Sequence, residues 1–297
     1  MQSAEVMTKS LGGNWYGSYG VAPCPVCQPE RRSDQTALTL GDGHSGLLAH
    51  CKKSGCEFGS ILAAAGITKD DVCPPDPAVR ARRDAERRAD IERRARQAHA
   101  LWCEARPIIG TIAEGYLRDA RAIHGPLPDS LRFHPAAWHG ATASRYPALV
   151  ARVDGADGFA VHRTYLGPDG LGKADLTPAK AMLGATAGGA VRLQEGNDRL
   201  VVAEGIETAL SLACGLLHGP AAIWAALSTS GMTGLRLPNE PGRLVIAPDG
   251  DPVGKKAAQT LAERADALGW SVSLLPAPEG SDWNSVIQKR RSGNAHS

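Results

Sequence analysis

The chain has 297 residues, of which 43% are hydrophobic, and its 33 basic and 31 acidic residues give a formal net charge of +2. This length predicts about two domains with cores of ordinary size, and so small a net charge gives no sign of a nucleic-acid partner. Because no run of about 18 apolar residues occurs and the N-terminus lacks an apolar signal segment, we expect a cytoplasmic protein without membrane contact.

Four of the seven cysteines form two close pairs. Cys24 and Cys27 have the spacing C-x2-C, and Cys51 and Cys56 have the spacing C-x4-C. Two such pairs can offer four thiolates to one tetrahedral Zn²⁺, which leaves no position for a catalytic water. Unrelated buried cysteines would not be expected to cluster in this way. We therefore predict a structural zinc site.

The segment between the two pairs, DQTALTLGDGHSGLLAHC, predicts a strand, a Gly-rich turn and a second strand. A hairpin with two cysteine pairs is the architecture of a zinc ribbon. Because neighbouring side chains of a strand point to opposite faces, we do not expect His50 to share a metal with Cys51. Basic and aromatic side chains near the pairs would permit contact with single-stranded nucleic acid.

A Pro-rich break, CPPDP, is followed by AVRARRDAERRADIERRARQAHALW at residues 78–102. This segment is rich in Ala and Arg and has no Gly or Pro, so it predicts a helix. Asp84/Arg88 and Asp90/Arg94 are opposite charges at i,i+4 spacing. Two interpretations remain open: a solvated linker helix stabilised by its own ion pairs, or a helix that also contacts phosphate.

The last third of the chain alternates between strand and helix patterns. The apolar runs LVVA, AAIWAAL, RLVIA and SVSLLP predict strands, and the segments between them predict helices. Such alternation is typical of an α/β domain with a mostly parallel sheet.

Four acidic residues follow these strands or precede the helices: Glu204, Asp249, Asp251 and Asp282. Sites in open parallel sheets form beyond the carboxyl ends of the strands, so we expect these carboxylates on one edge. Carboxylates without cationic partners repel one another, and a bound divalent cation is the simplest relief. Since Mg²⁺ bound by carboxylates also coordinates substrate phosphates, the pattern predicts phosphoryl transfer with one or two metal ions.

Ordinary structural roles remain alternatives for the same residues. Asp249-Gly-Asp251 suits a tight turn, Asp282 suits a helix cap, and Glu204 suits a helix N-terminus. Glu207 fits this last role better, because it lies inside the first turn of the predicted helix. The joint placement of the four acids favours the metal site.

The segments VVAEGIETALS and VIAPDGDPVGKKAA resemble the Toprim domain of primases, topoisomerases and some nucleases. Glu204 matches the glutamate that follows the first strand of this family, and Asp249 and Asp251 match its Asp-x-Asp. DWNSV, with Asp282, resembles the acidic element that closes the metal site in phage and plasmid versions. The resemblance extends to the cysteine region, since CPVC…HCKKSGCEFGSILAAAGI is similar to the zinc modules of bacterial-type, phage and plasmid primases.

The segment AVHRTYLGPDGLGKADLTPAKAMLG resembles the small subdomain that precedes Toprim in primases. In that family basic residues line the nucleotide and template groove, which implies nucleotide or template contacts for Arg163, Lys180 and, more weakly, Lys173. Lys255, which follows Gly254 in the first turn of a predicted helix, is a further candidate for binding nucleotide. GDPVGKK is not a Walker loop, so we expect no helicase motor within this chain.

The resemblance implies a DNA primase that makes short RNA primers from NTPs on single-stranded DNA in phage or plasmid replication, beside a separate replicative helicase. Mg²⁺ or Mn²⁺ would be held by Asp249, Asp251 and Asp282, with Glu204 as general acid/base or a further ligand. The alternatives are a Toprim nuclease that uses the same acids for hydrolysis, and a non-catalytic DNA-binding accessory protein of replication. The predicted fold is α/β, α+β overall, with four parts: a zinc ribbon (15–73), an Arg-rich linker helix (74–105), the N-terminal subdomain of a primase core (106–198) and a Toprim domain with its parallel sheet flanked by helices (199–290).

Overall fold

The computed structural model describes residues 3–43, 46–68 and 77–294. The chain divides into two compact units, Met1–Ala89 and Asp90–Ser297. The helices are α1 (Ala4–Ser10), α2 (Phe58–Ala64), α3 (Pro77–Glu104), α4 (Ile112–Gly115), α5 (Ile206–Ser211), α6 (Thr229–Gly234), α7 (Pro252–Ala267) and α8 (Trp283–Asn294). Short π-helical segments, Tyr116–Ala120 and Leu212–Leu216, continue α4 and α5.

The strands form three sheets. They are β1 (Asn14–Trp15), β2 (Tyr19–Ala22), β3 (Leu38–Gly43), β4 (Gly46–Cys51), β5 (Arg106–Pro107), β6 (Leu131–His139), β7 (Ser144–Val153), β8 (Ala160–Tyr165), β9 (Lys180–Leu183), β10 (Val191–Gln194), β11 (Leu200–Ala203), β12 (Ala222–Ala225), β13 (Arg243–Ala247) and β14 (Ser271–Leu274).

The first unit contains the antiparallel sheet β1-β2-β3-β4. Its hairpin β3–β4 is the predicted one, with Leu38 opposite Cys51. A small core forms where Met7, Leu38 and Ile61 are buried together with Cys24 and Cys51. The tip of the hairpin, residues 44–45, and the predicted domain boundary at residue 73 lie outside the described residues.

Helix α3 covers the predicted Arg-rich helix. Arg94 and Asp90 form the expected i,i+4 pair at 2.9 Å. Nearly all of its side chains are exposed or partly exposed, and burial is confined to Ala98, Leu101 and Trp102 near its C-terminal end. Exposed pairs of this kind contribute little to stability, so the last turns hold this helix in the second unit through apolar packing.

Residues 106–150, for which the sequence predicts only mixed helix and loop, contain β6 and most of β7. These strands belong to the antiparallel sheet β5-β6-β7-β8-β9. The pairing of β6 with β7 shifts register between His134 and Ala137, next to Pro135. A register shift interrupts the two-residue alternation by which a strand is recognised in a sequence.

The second sheet of this unit has the order β10-β12-β11-β13-β14, and all neighbouring strands except β10 and β12 are parallel. All four residues of β11 are buried, as expected for a strand covered on both faces. Val201 and Ala203 pack into the core shared with the antiparallel sheet, whereas Leu200 and Val202 pack into the core beneath α7.

Strand β11 leads to β12 on one side, and the chain then returns to β13 on the other side of β11. The adjacent strands β11 and β13 therefore form a topological switch point, where a crevice opens beyond their carboxyl ends. The predicted mixed α/β fold with a four-cysteine ribbon and a parallel sheet is confirmed. In the described parts of the chain, no helix combines the length and apolarity needed to cross a membrane.

Candidate functional site

The four paired cysteines converge on one point. Cys24 and Cys27 follow β2, Cys51 ends β4, and Cys56 precedes α2. The Sγ atoms of all four lie within 4.8 Å of one another, and those of Cys27 and Cys51 are 3.5 Å apart. His50 is exposed beside the buried Cys51 and lies outside this group, as strand alternation predicts.

The electrostatics of the cysteine cluster call for a cation. Partial burial and the neighbouring thiols of Cys51, Cys24 and Cys27 raise the pKa of Cys56 to about 12. Against the effect of burial, backbone N–H groups and Cys27 lower the pKa of Cys51 to about 6, so the ionised form is favoured at Cys51 and disfavoured at Cys56. A cation between the sulfurs would favour the ionised form of all four. The donor set of four sulfurs fits a closed, structural Zn²⁺ site.

The carboxylates of the second unit occupy the switch point of the parallel sheet. Ala203 and Ala247 are paired in register, so Glu204 and Asp249, which follow them, emerge on the same edge. Asp251 caps α7 through a 2.7 Å hydrogen bond from the Gly254 N–H to its Oδ1.

Asp282 precedes α8 and accepts a 2.6 Å hydrogen bond at Oδ1 from the Ser285 N–H. Asp251 and Asp282 thus each use one oxygen at a helix start. Neither second oxygen has a hydrogen-bond partner within the described parts of the chain. The structural and the metal-binding interpretations of these aspartates are therefore compatible.

Gly250 lies between Asp249 and Asp251 and is closely packed against the loop before α8. Its N–H donates to the Ser281 carbonyl at 2.8 Å. A Cβ at this position would lie 2.0 Å from the carbonyl oxygen of Pro278, closer than any side chain allows. Glycine is needed here for this close approach, which holds the chain before Asp282 against the Asp249–Asp251 turn.

Mutual repulsion is visible in the pKa values of these carboxylates. Burial is the largest cause that raises the pKa of Asp249, followed by the charges of Asp282 and Asp251. The Thr208 hydroxyl, 3.3 Å from Asp249 Oδ1, lowers this pKa in part. Burial, Asp249 and Asp251 raise the pKa of Glu204. The four groups are less tightly gathered than the cysteines, which alone among the described residues place three or more ligand atoms within 4.8 Å of one another. Oxygen donors with excess negative charge fit a hard divalent cation.

The predicted cations differ in their surroundings. Lys180 lowers the pKa of both Glu204 and Asp249, which places its charge beside the carboxylates. Lys255 is exposed in the first turn of α7. Arg163 is only 8% exposed and donates to the carbonyls of Trp138 and Met182 at 2.8 and 3.2 Å, so its guanidinium is bonded within the antiparallel sheet.

The sequence predicts only the role of a helix N-terminal acid for Glu207, whereas the structure buries it among polar partners. Lys180 Nζ lies 3.0 Å from Glu207 Oε2, and Lys173 Nζ lies 3.5 Å from Oε1. The hydroxyl of Tyr116 donates to the same Oε1 at 2.8 Å. These partners come from distant parts of the chain, and the only local signal was the position of Glu207 one helical turn after Glu204.

Solved structures that are similar to this chain include those of primases. A DNA primase domain from Pseudomonas aeruginosa is 20% identical, with 68% of this chain and 77% of that chain covered and a TM-score of 0.42. The Aquifex aeolicus primase (zinc-binding and RNA polymerase domains) is 13% identical, with 98% and 81% covered and a TM-score of 0.43. The primase fragment of the bacteriophage T7 primase-helicase protein is 13% identical, with 93% and 97% covered and a TM-score of 0.32. The search of curated proteins gave no match.

Two family models match consecutive parts of the chain. Residues 92–193 match a family described as "Domain of unknown function (DUF7146)". Residues 199–293 match the family described as "Toprim domain". The second range holds the parallel sheet, its switch point and all four carboxylates. Residues 199–293 are therefore a Toprim domain, on a chain that also carries a four-cysteine ribbon.

Proposed function

We propose that this chain is a DNA primase that synthesises short RNA primers on single-stranded DNA by metal-dependent nucleotidyl transfer, in phage or plasmid replication. The observation that carries the proposal is the group of four mutually repelling carboxylates at the switch point of the Toprim sheet, with Lys180 beside them. A four-cysteine ribbon on the same chain supports a primase over a Toprim nuclease, since hydrolysis needs no such module.

Asp249, Asp251 and Asp282 would hold Mg²⁺ or Mn²⁺, using the carboxylate oxygens that the helix caps leave available. Such a cation would supply positive charge that offsets the negative charge of a nucleoside triphosphate. The aspartates would be poor partners for the triphosphate by themselves, because like charges repel.

The proposed reaction joins a ribose hydroxyl to the α-phosphate of an incoming NTP. The hydroxyl oxygen attacks the α-phosphorus. The bond between this phosphorus and the oxygen that bridges the α- and β-phosphates breaks, and pyrophosphate leaves. Glu204, whose pKa is raised by burial and by Asp249 and Asp251, accepts the hydroxyl proton or completes the cation site. Lys180 and Lys173 would place positive charge beside the triphosphate, and the exposed Lys255 is a further candidate for a nucleotide or template contact.

The ribbon and α3 are proposed to contact the single-stranded template. The exposed arginines of α3 are suited to phosphate, and the exposed aromatic side chains of the ribbon, Tyr16 and Tyr19, stack on each other with ring centroids 5.3 Å apart. Strand separation would be left to a separate replicative helicase.

One assay tests the proposal. The protein is incubated with single-stranded DNA, labelled NTPs and Mg²⁺ or Mn²⁺, and the products are separated by length. We expect short RNA chains that disappear in Asp249→Asn and Asp251→Asn, whereas Asp266→Asn, the same change at an exposed residue of α7, keeps them. Asparagine is chosen because it preserves the cap at position 251.

The other outcomes separate the remaining functions. Cleavage of DNA without synthesis would identify a Toprim nuclease. DNA binding with neither activity would identify an accessory protein of replication. Either result would overturn the proposal.

A further inference from the structure

Glu207 is a buried carboxylate with every oxygen engaged by side chains. The residue is 7% exposed and lies in the first turn of α5. Tyr116 Oη at 2.8 Å and Lys173 Nζ at 3.5 Å contact Oε1, and Lys180 Nζ at 3.0 Å contacts Oε2. A single carboxylate thus joins three residues of the segment before the Toprim domain to the first helix within it.

A helix-terminal acid does not need these partners. An acid that only complements the helix dipole is stable in solvent, whereas burial of a carboxylate costs free energy unless it is paired. Burial raises the pKa of Glu207, but Lys180 and Lys173 more than reverse this and hold the pKa well below its ordinary value. Glu207 is therefore ionised, and its charge is directed at the two lysines.

Lys180 faces the carboxylate edge as well as Glu207. Its side chain is 36% exposed, and its charge acts on Glu204 and Asp249. Lys173 is similar, with 31% of its side chain exposed. Both lysines are therefore paired with Glu207, and each still has about a third of its side chain exposed to solvent.

The same turn of α5 also contacts the metal side of the site. Thr208, the next residue after Glu207, donates to Asp249 Oδ1 at 3.3 Å. Behind Glu207, the fully buried Tyr116 accepts a 3.0 Å hydrogen bond from Arg121 Nε, which leaves its hydroxyl proton for Glu207. The hydrogen bonds of Tyr116 and of the neighbouring Thr208 therefore fix the position of Glu207, whereas the long side chains of its lysine partners have more conformational freedom.

We propose that Glu207 is a positioning residue that holds Lys180 and Lys173 where they receive the triphosphate of the incoming nucleotide. The inference rests on the proposed function and extends it to a residue outside the metal-binding set. A lysine has a flexible four-carbon side chain, and an anchor reduces the conformational freedom that would be lost when phosphate binds.

Steady-state kinetics distinguish positioning from a merely structural role. In Glu207→Gln we expect the KM for NTP to rise by about tenfold or more, with kcat changed less than about threefold, because the lysines contact the triphosphate in both ground and transition states. A structural role would lower the active fraction, and thus kcat, at unchanged KM. Glu207→Asp, which keeps the charge, should recover part of the loss, and the exposed Glu240→Gln should match the wild type.

A second measurement does not depend on activity. Lysines of the folded full-length protein are acetylated briefly with acetic anhydride, and the rate at each position is read by mass spectrometry. We expect Lys173 and Lys180 to react more slowly than the exposed Lys255 in the wild type, and several-fold faster in Glu207→Gln relative to Lys255. ATP with Mn²⁺ should protect Lys180 in the wild type and much less in Glu207→Gln.

These results separate the two proposals. Unchanged acetylation of both lysines in folded Glu207→Gln, or equal protection by ATP in both proteins, would overturn the role of Glu207. If the wild type makes no RNA, the primase proposal fails, and the acetylation and ATP-protection experiments still decide whether Glu207 positions the lysines for a triphosphate.

Discussion

Asp249 is partly buried and lies near the negative charges of Asp282 and Asp251, whose effect the Thr208 hydroxyl and Lys180 only partly oppose. Its pKa in the folded chain is raised above the ordinary value, so the protonated group favours folding at low pH. That contribution is lost as the pH rises through the folded pKa. Above the folded pKa the ionised Asp249 therefore opposes folding, and a cation bound as proposed would offset this cost.

Substitution of Asp249 by Asn tests this balance. Asn removes the charge and can still accept the hydrogen bond from Thr208, so metal-free Asp249→Asn should be more stable than the wild type. A gain of about 1 kcal/mol corresponds to a rise in Tm of roughly 2–4 °C for a chain of this size. We also expect Mg²⁺ or Mn²⁺ to raise the Tm of the wild type but not of the variant, and calorimetry measures both effects.

Acid provides the control for this prediction. As the pH falls below the folded pKa, the wild-type group becomes protonated and the difference in Tm between the two proteins should shrink. A metal-free variant less stable than the wild type, with its Mg²⁺ response intact, would show that Asp249 is a structural residue.

At the scale of elements, the carboxylate edge of the parallel sheet depends on two loops that pack closely. The loop β13–α7 carries Asp249 and Asp251, and the loop β14–α8 carries Asp282. Backbone hydrogen bonds join them, from the Gly250 N–H to Ser281 O at 2.8 Å and from the Gly280 N–H to Gly250 O at 3.3 Å. The third aspartate is thus placed by the fit of these loops.

Gly250→Ala should separate the loops. The new methyl group would lie 2.0 Å from Pro278 O, a backbone atom that can move only with its loop. We expect a loss of about 1–3 kcal/mol in the free energy of unfolding, measured by urea denaturation, together with weaker Mn²⁺ binding. Gly234→Ala, where an added Cβ meets nothing within 4 Å, should leave both unchanged. Unaltered Mn²⁺ affinity in Gly250→Ala would show that the approach of the loops does not form the site.

For the molecule as a whole, each of the two units has its own core. The core of the first unit is small and includes Cys24 and Cys51 themselves. In the second unit, one core has buried residues from Ile108 to Ala247 and is shared by the antiparallel and parallel sheets, and a second core lies beneath α7. Because two of the four clustered cysteines are part of this core, we expect the first unit to need its metal to remain folded.

Removal of zinc should therefore unfold one unit and spare the other. In calorimetry we expect two unfolding transitions, one for each unit. A strong chelator should abolish the transition of the first unit and shift the Tm of the second by no more than about 2 °C. Cys56→Ser should have the same effect as the chelator, while Cys103→Ser, at an exposed cysteine outside the cluster, should resemble the wild type. Persistence of both transitions after zinc removal, verified by metal analysis, would contradict a structural role for the metal.

The sequence by itself determined the features that depend on local spacing. The cysteine pairs predict their own convergence, because a hairpin between them needs only turn residues and two apolar runs. The strands LVVA and RLVIA are buried on both faces, so they appear as continuous apolar runs whose ends identify Glu204 and Asp249. The small net charge proved uninformative, since the formal count of Lys, Arg, Asp and Glu includes neither the cysteines nor the charge of any bound cation.

The tertiary structure alone decided which distant side chains meet. Glu207 reads locally as an ordinary first-turn acid, and its partnership with Lys180 depends on how β9 and α5 pack. Arg163 reads as an available cation, yet packing buries it against the carbonyls of its own sheet. Periodicity records which face of an element is apolar, but contacts between elements depend on side-chain geometry in three dimensions, which no local pattern encodes.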